Sequence, residues 1–199
     1  RSARAVADLV SSRERAVRFR DQAGGILQSL EMGVESRFYE QLDMAVDLID
    51  QQVCRAVTVD TTFDWDTHDV NREQHTYFQQ LFLGLQQLMN SLEATGHLDD
   101  TVVAVVSEMT RTPLLNAAGG KDHWGHTSAM LLGAVAGNRV SGGTDHYLES
   151  LPMDLETGEL AGSGALNKYD NFCAGLLENV GVDPEEWLPG VVPFRGAHS

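Results

Sequence analysis

Five consecutive apolar residues, Val102-Val103-Ala104-Val105-Val106, constrain this chain more than any other stretch. Four of the five are β-branched, and a polar, glycine-containing loop from Glu108 to Gly125 follows at once. Such a run reads as a strand covered on both faces, the pattern of a parallel sheet. Upstream, Phe78, Leu81, Phe82, Leu85, Leu88, Met89 and Leu92 recur at helical spacing, closed by Gly96. Before that helix, Val53–Val59 is short, β-branched and bounded by polar residues, which predicts another strand. Strand, helix, strand in this order predicts a right-handed crossover and an α/β fold.

Two apolar stripes, around Ala5–Val10 and Val34–Ile49, predict that residues 1–50 are a helical lead-in broken at Gly24-Gly25. Residues 51–199 then form the sheet core with its loops. Residues 60–72 lack periodicity and read as a loop, Ala129–Val135 is a further apolar segment, and Asn138–Gly143 a turn. Tyr169–Val180 reads as a last helix, stopped by Gly181 with Pro184 beyond. No apolar run approaches the ~20 residues of a membrane-spanning helix. The 14 basic and 29 acidic residues among 199 give a formal charge of −15, a surface that repels phosphate backbones, so nucleic acid is not an expected partner. Cys54 and Cys173 permit one disulfide, but their apolar surroundings equally suit buried free thiols. The first residue is Arg1 and the opening stripe reads as mid-helix, so a preceding segment is expected.

In open α/β sheets ligands bind in loops at the carboxyl ends of strands, and the two loops after the predicted strands hold most of the chain's clustered Asp, Glu and His. Asp66 and His68 lie two apart, so in an extended segment both side chains point one way and can converge on one ion. The alternative is a solvated acidic loop with His68 capping the next helix. Glu108 leaves the Val-rich strand towards the crevice. Arg111 stands either to pair with Glu108 or to hold an anionic substrate bidentately. Asp122-His123-Trp124-Gly125-His126 is the densest grouping, and the glycines before it suit a turn that wraps a cation; its alternative is a surface turn anchored by Trp124. Carboxylate and imidazole together suit zinc, manganese or iron better than calcium, so a divalent metal ion is expected, zinc first, with manganese, calcium or magnesium as the alternatives. His75, His97, His146 and His198 read as structural or solvated. Neither a phosphate loop of strand-to-helix type nor a Gly-x-Ser-x-Gly elbow is present.

Three runs, Thr-Phe-Asp-Trp-Asp-Thr-His (62–68), Val-Val-Ser-Glu-Met-Thr-Arg-Thr-Pro (105–113) and Gly-Gly-Lys-Asp-His-Trp-Gly-His-Thr-Ser (119–128), resemble the domain-of-unknown-function 1501 family in order and spacing. That family looks like a branch of the alkaline phosphatase/sulfatase superfamily. The resemblance implies a three-layer αβα alkaline-phosphatase-like sheet, of which this chain is the C-terminal portion and the N-terminal part is missing. It implies an exported bacterial protein, periplasmic or extracellular, hydrolysing phosphate or sulfate esters, with a small anionic ester or a protein as partner. Asp66, His68, Glu108, Asp122, His123 and His126 become the expected metal ligands and Arg111 the expected substrate contact. Ser107-Glu108 stands where the superfamily has Ser-Asp-His-Gly, with Met109 in place of the His, and His126-Thr127 resembles its late His-Thr. The nucleophile belongs to the superfamily's N-terminal half, and residues 1–50 match nothing of it. The contrasting expectation is an exported, non-catalytic metal-binding or assembly protein that retains the fold.

Overall fold

Leu81, Leu85, Leu88 and Leu92 repeat at three- and four-residue intervals and are buried along one side of the helix Glu73–Thr95 (α2). The structure, a computed structural model, describes Glu14, Val17 and residues 38–108, 110–135 and 137–198. It divides into two compact units, Arg1–Asp64 with His75–His97, and Trp65–Gln74 with Leu98–Ser199. Of the predicted helical lead-in, Phe38–Asp50 (α1), Glu14 and Val17 are helical; the break at Gly24-Gly25 lies outside the described residues.

In the first unit, α1 buries Phe38, Leu42, Ala45 and Val46. Its approach to α2 is set by Gly84, where an added Cβ would lie 2.4 Å from Phe38 Cε1. Phe63 meets Phe38 edge-on at 5.5 Å and stacks on Tyr77 at 5.6 Å, in the arrangements that ring quadrupoles favour. Asp43 accepts a hydrogen bond from Gln87 at 2.6 Å. The strand expected over Val53–Val59 is not formed: the segment carries no ladder, and residues 55–58 are exposed. β-Branched residues favour strands by fitting a half-buried pleated surface, and this segment has none to lie on.

In the second unit, Val102–Val105 (β1) is a strand as expected, but it is half-buried and its partner is not the expected one. It pairs antiparallel with Met130–Gly133 (β2), with Val102 opposite Gly133 and Val105 opposite Met130. The parallel crossover is thereby corrected, because its first strand is absent and β1 is laddered to a later segment. A two-stranded sheet is compatible with a three-layer αβα fold and with simpler ones alike. The last helix, Tyr169–Asn179 (α3), ends before Gly181 at φ +75°, and a 3-10 turn follows at Pro184–Glu186. Gly175 of α3 faces the chain at Phe194, whose carbonyl oxygen would sit 2.0 Å from an added Cβ. Arg195 clamps the same helix by two bonds to Glu178, at 2.6 and 2.9 Å, and reaches Glu156 at 2.8 Å. Both cysteines are free thiols. Among the described residues no helix is long and apolar enough to cross a membrane.

Candidate metal centre

All the side chains of the candidate site belong to the second unit. Residues 65–68 contain two successive three-residue turns, with Thr67 N–H donating to the Trp65 carbonyl and His68 N–H to that of Asp66, both at 2.9 Å. Between the two functional residues, Thr67 is 6% exposed and accepts a hydrogen bond from Gln74 at 2.9 Å. Burying Thr67 leaves Asp66 and His68 facing solvent together, half-exposed at 47% and 40% of their side chains.

The second wall is a short antiparallel pairing of residues 110–112 with 122–124. Thr112 N–H donates to Asp122 O at 2.9 Å, Trp124 N–H to Thr110 O at 3.0 Å, and Arg111 stands opposite His123. Residues directly opposite in such a pair project from the same face. Arg111 and His123 accordingly both reach the Asp66 carboxylate. Gly120 lets this wall close: an added Cβ there would lie 1.9 Å from the His68 carbonyl oxygen. Gly120 therefore serves close backbone approach, while Gly119 supplies a left-handed turn at φ +86°.

The three potential ligand atoms are Asp66 Oδ1, a His68 ring nitrogen and a His123 ring nitrogen, all within 4.8 Å of one another. Asp66 Oδ1 is 3.0 Å from His68 Nε2 and 3.2 Å from His123 Nε2, and the two imidazoles stack with centroids 5.0 Å apart. In tetrahedral zinc sites with ligand bonds of about 2.0–2.1 Å, neighbouring donor atoms stand about 3.3 Å apart. The donor set, one carboxylate and two imidazoles open to solvent, is of the types a divalent ion takes, and the two separations from Asp66 Oδ1 lie near that value.

Asp122 takes a different position from the one expected. Its Oδ1 is 3.3 Å from His68 Nδ1, the nitrogen turned away from Asp66, and accepts from Asn116 Nδ2 at 3.0 Å. Asp122 thus stands outside the Asp66–His68–His123 group, on the far side of the His68 ring, where a carboxylate orients an imidazole. Hydrogen bonds from Asn116 and then His68 hold its carboxyl below the ordinary range, against the cost of desolvation. The Arg111 hydrogen bond does the same for Asp66, again against desolvation, with the charges of His68, Arg111 and His123 adding smaller effects.

Arg111 is the larger revision. Its side chain is only 6% exposed, and its hydrogen bonds run to the Trp65 carbonyl from both Nε (3.3 Å) and Nη2 (2.8 Å), to the Lys121 carbonyl from Nη1 (3.1 Å), and to Asp66 from Nη2. Nη1 also lies 3.4 Å from His68 Nε2. Four of its five N–H groups are thus held by oxygens and the fifth faces His68, so this buried guanidinium is turned inward rather than towards a substrate anion. Its carboxylate partner is Asp66 and not Glu108. Glu108 is exposed and outside the cluster; its charge is felt at Tyr169, whose hydroxyl is raised above its ordinary value first by Cys173 and least by Glu108. His126 is also elsewhere, with Nδ1 3.1 Å from Ser150 Oγ and accepting the Ser150 backbone N–H at 3.2 Å, its ring against Trp124. Asn116 is the participant that residue-type reasoning passes over. An Asn ahead of Ala-Ala-Gly-Gly signals a turn, and nothing in that signal announces a contact with a site carboxylate.

Residues 2–191 match the family described as protein of unknown function, DUF1501. The chain belongs to that family. The resemblance carried by the runs at 62–68, 105–113 and 119–128 is thus sustained at the level of this DUF1501 family. No curated protein and no solved structure matches the chain.

Proposed function

We propose that this DUF1501 protein binds one divalent metal ion, zinc first, through Asp66, His68 and His123, and uses it to hydrolyse a phosphate or sulfate ester outside the cytoplasm. The observation that carries the reading is the spacing about Asp66 Oδ1, 3.0 Å to His68 Nε2 and 3.2 Å to His123 Nε2. In the tautomer with the Nδ1 proton directed at Asp122, the His68 Nε2 lone pair would face Asp66 Oδ1, and a cation between the two would satisfy both. Arg111 Nη1 meets that lone pair only at 3.4 Å.

When bound, a divalent ion supplies Lewis-acid stabilisation of the charge that builds on an ester's oxygens during hydrolysis. The chain's own residues hold and orient: Arg111 fixes Asp66, Asp122 fixes His68, and the pairing with residues 110–112 fixes His123. The half-exposed ligands leave the solvent side open for substrate. The relation to the alkaline phosphatase/sulfatase superfamily belongs to this proposal and rests on the motif resemblance.

One observation favours a second reading, a metal-binding or assembly protein without catalysis: the Arg111 side chain is 6% exposed and spends its Nε and both Nη groups on Trp65, Lys121 and Asp66 rather than turning towards an ester's anion. Metal analysis of the intact protein with its His68→Ala and His123→Ala variants, followed by aryl phosphate and aryl sulfate turnover, separates the two. Near-stoichiometric zinc lost in both variants, with metal-dependent turnover, supports the hydrolase. Zinc without turnover supports the second reading, and equal metal content in all three proteins ends the assignment of Asp66, His68 and His123 as ligands.

A further inference from the structure

We propose that Asn116 is a positioning residue that sets the affinity of the metal site by holding the Asp122 carboxylate on Nδ1 of His68; the inference rests on the metal reading above. Asn116 uses its whole side-chain hydrogen-bonding capacity. Its Nδ2 donates to Asp122 Oδ1 at 3.0 Å and to the His68 carbonyl at 2.9 Å. Its Oδ1 accepts from the Ala118 amide at 3.0 Å and the Gly120 amide at 3.1 Å. Two backbone donors on one end and two acceptors on the other fix which way the amide points.

The two ends do separate jobs. The Oδ1 end shapes the loop, and an Asn chosen only to shape a turn needs no more than that. The Nδ2 end leaves the loop and bonds the residue two ways to the site, once to the carboxylate facing the His68 ring and once to the backbone of His68 itself. Thr112 Oγ1 completes the seat by accepting from the Asp122 amide at 3.2 Å. Together these bonds fix the carboxylate that selects the Nδ1–H tautomer, leaving the Nε2 lone pair on the side of Asp66 and His123. Outer partners of this kind change metal affinity by about 10- to 100-fold.

Asn116→Asp separates the two jobs, because it keeps an oxygen for the Ala118 and Gly120 amides and replaces the donor with an oxygen facing Asp122 and a carbonyl. Zinc affinity is measured on the intact protein by competition with a chromophoric chelator, and the visible spectrum of the cobalt(II)-loaded protein reports ligand geometry. Expected are a 10- to 100-fold loss of zinc affinity and a changed cobalt spectrum in Asn116→Asp, and a loss of similar size in Asp122→Asn. The double variant should bind zinc no more weakly than the worse single one, because both act through one contact. Wild-type affinity in Asn116→Asp, or losses that multiply in the double variant, overturns the proposal. Should Asn116→Asp fail to fold, Asp122→Asn tests the same contact from its exposed side, and wild-type affinity there overturns it equally. His68→Ala and His123→Ala are the controls. Zinc retained by both sinks the metal reading and this inference with it; zinc lost in both but held normally by Asn116→Asp sinks this inference alone.

Discussion

Two nitrogens of Arg111 grip a single carbonyl oxygen, that of Trp65, Nη2 at 2.8 Å and Nε at 3.3 Å. The residue thereby ties the turn that carries Asp66 and His68 to the wall that carries His123. A planar guanidinium spreads its donors over three nitrogens that face the Trp65 and Lys121 carbonyls and Asp66 together, whereas an ammonium gathers its three donors on one atom. Arg111→Lys, with charge unchanged, is expected to lower the unfolding free energy by about 1–3 kcal/mol from lost charge-assisted bonds. It should also weaken zinc binding. Urea denaturation and chelator competition on one preparation check both, and a variant indistinguishable from wild type in both would refute the clamp.

Gly120→Ala addresses the same wall from its backbone. The new Cβ would meet the His68 carbonyl at 1.9 Å and the Asp69 nitrogen at 2.5 Å, backbone atoms with no side-chain freedom to yield. A loss of about 1–3 kcal/mol in stability is expected, as for other forced overpacking. Because His68 is what must move, zinc affinity should fall as well. Thermal unfolding with and without zinc separates the two effects, the variant gaining less from zinc than wild type does.

Leu92 is 0% exposed within α2 and stands for the core of the first unit. Leu92→Ala should cost about 2–5 kcal/mol through lost burial and the cavity left behind. Chemical denaturation followed by circular dichroism measures it. Zinc affinity of the folded fraction, set by residues of the second unit, should be unchanged.

The pairing of Glu178 with Arg195 predicts a pH dependence. The Arg195 hydrogen bond holds the Glu178 carboxyl below the ordinary glutamate value, so its stabilisation is fully present above that value and is lost as pH falls through the folded one. With side chains 37% and 32% exposed, the pair is worth about 0.5–1 kcal/mol after solvent screening. Glu178→Gln should be less stable than wild type by that amount at pH 7, and the difference should shrink from about pH 5 downward. A gap that is constant with pH would show that the charge contributes nothing.

Periodic features were legible from residues alone. The leucine spacing of α2, the last helix with Gly181 as its stop, and the Val102–Val105 strand all follow from local pattern. Pairing did not, because the partner of β1 lies at Met130–Gly133, and no local signal distinguishes an antiparallel neighbour from a parallel one. Val53–Val59 misled because β-branching marks suitability for a sheet, not the presence of one. At the site, Asp66, His68 and His123 were legible as ligand types at usable spacing. The parts of Arg111, Asp122 and Asn116 were not, since they depend on which way a guanidinium, a carboxylate and an amide point after residues about 45–55 apart have met. Residue type places Glu108 and His126 in the right loops, and only geometry separates them from the cluster.

The meeting of His68 with His123 also bears on how the chain holds together. An ion shared by these two residues, as proposed, would be a removable staple across a loop of about 55 residues that includes all of α2. Closing a loop of that size beforehand withdraws a few kcal/mol of freedom from the unfolded chain, the kind of gain a disulfide brings. With Cys54 and Cys173 both free, the stapled chain would then be tuned not by redox conditions but by the supply of metal, and a chelator would act on it as a reductant acts on a disulfide-bonded protein.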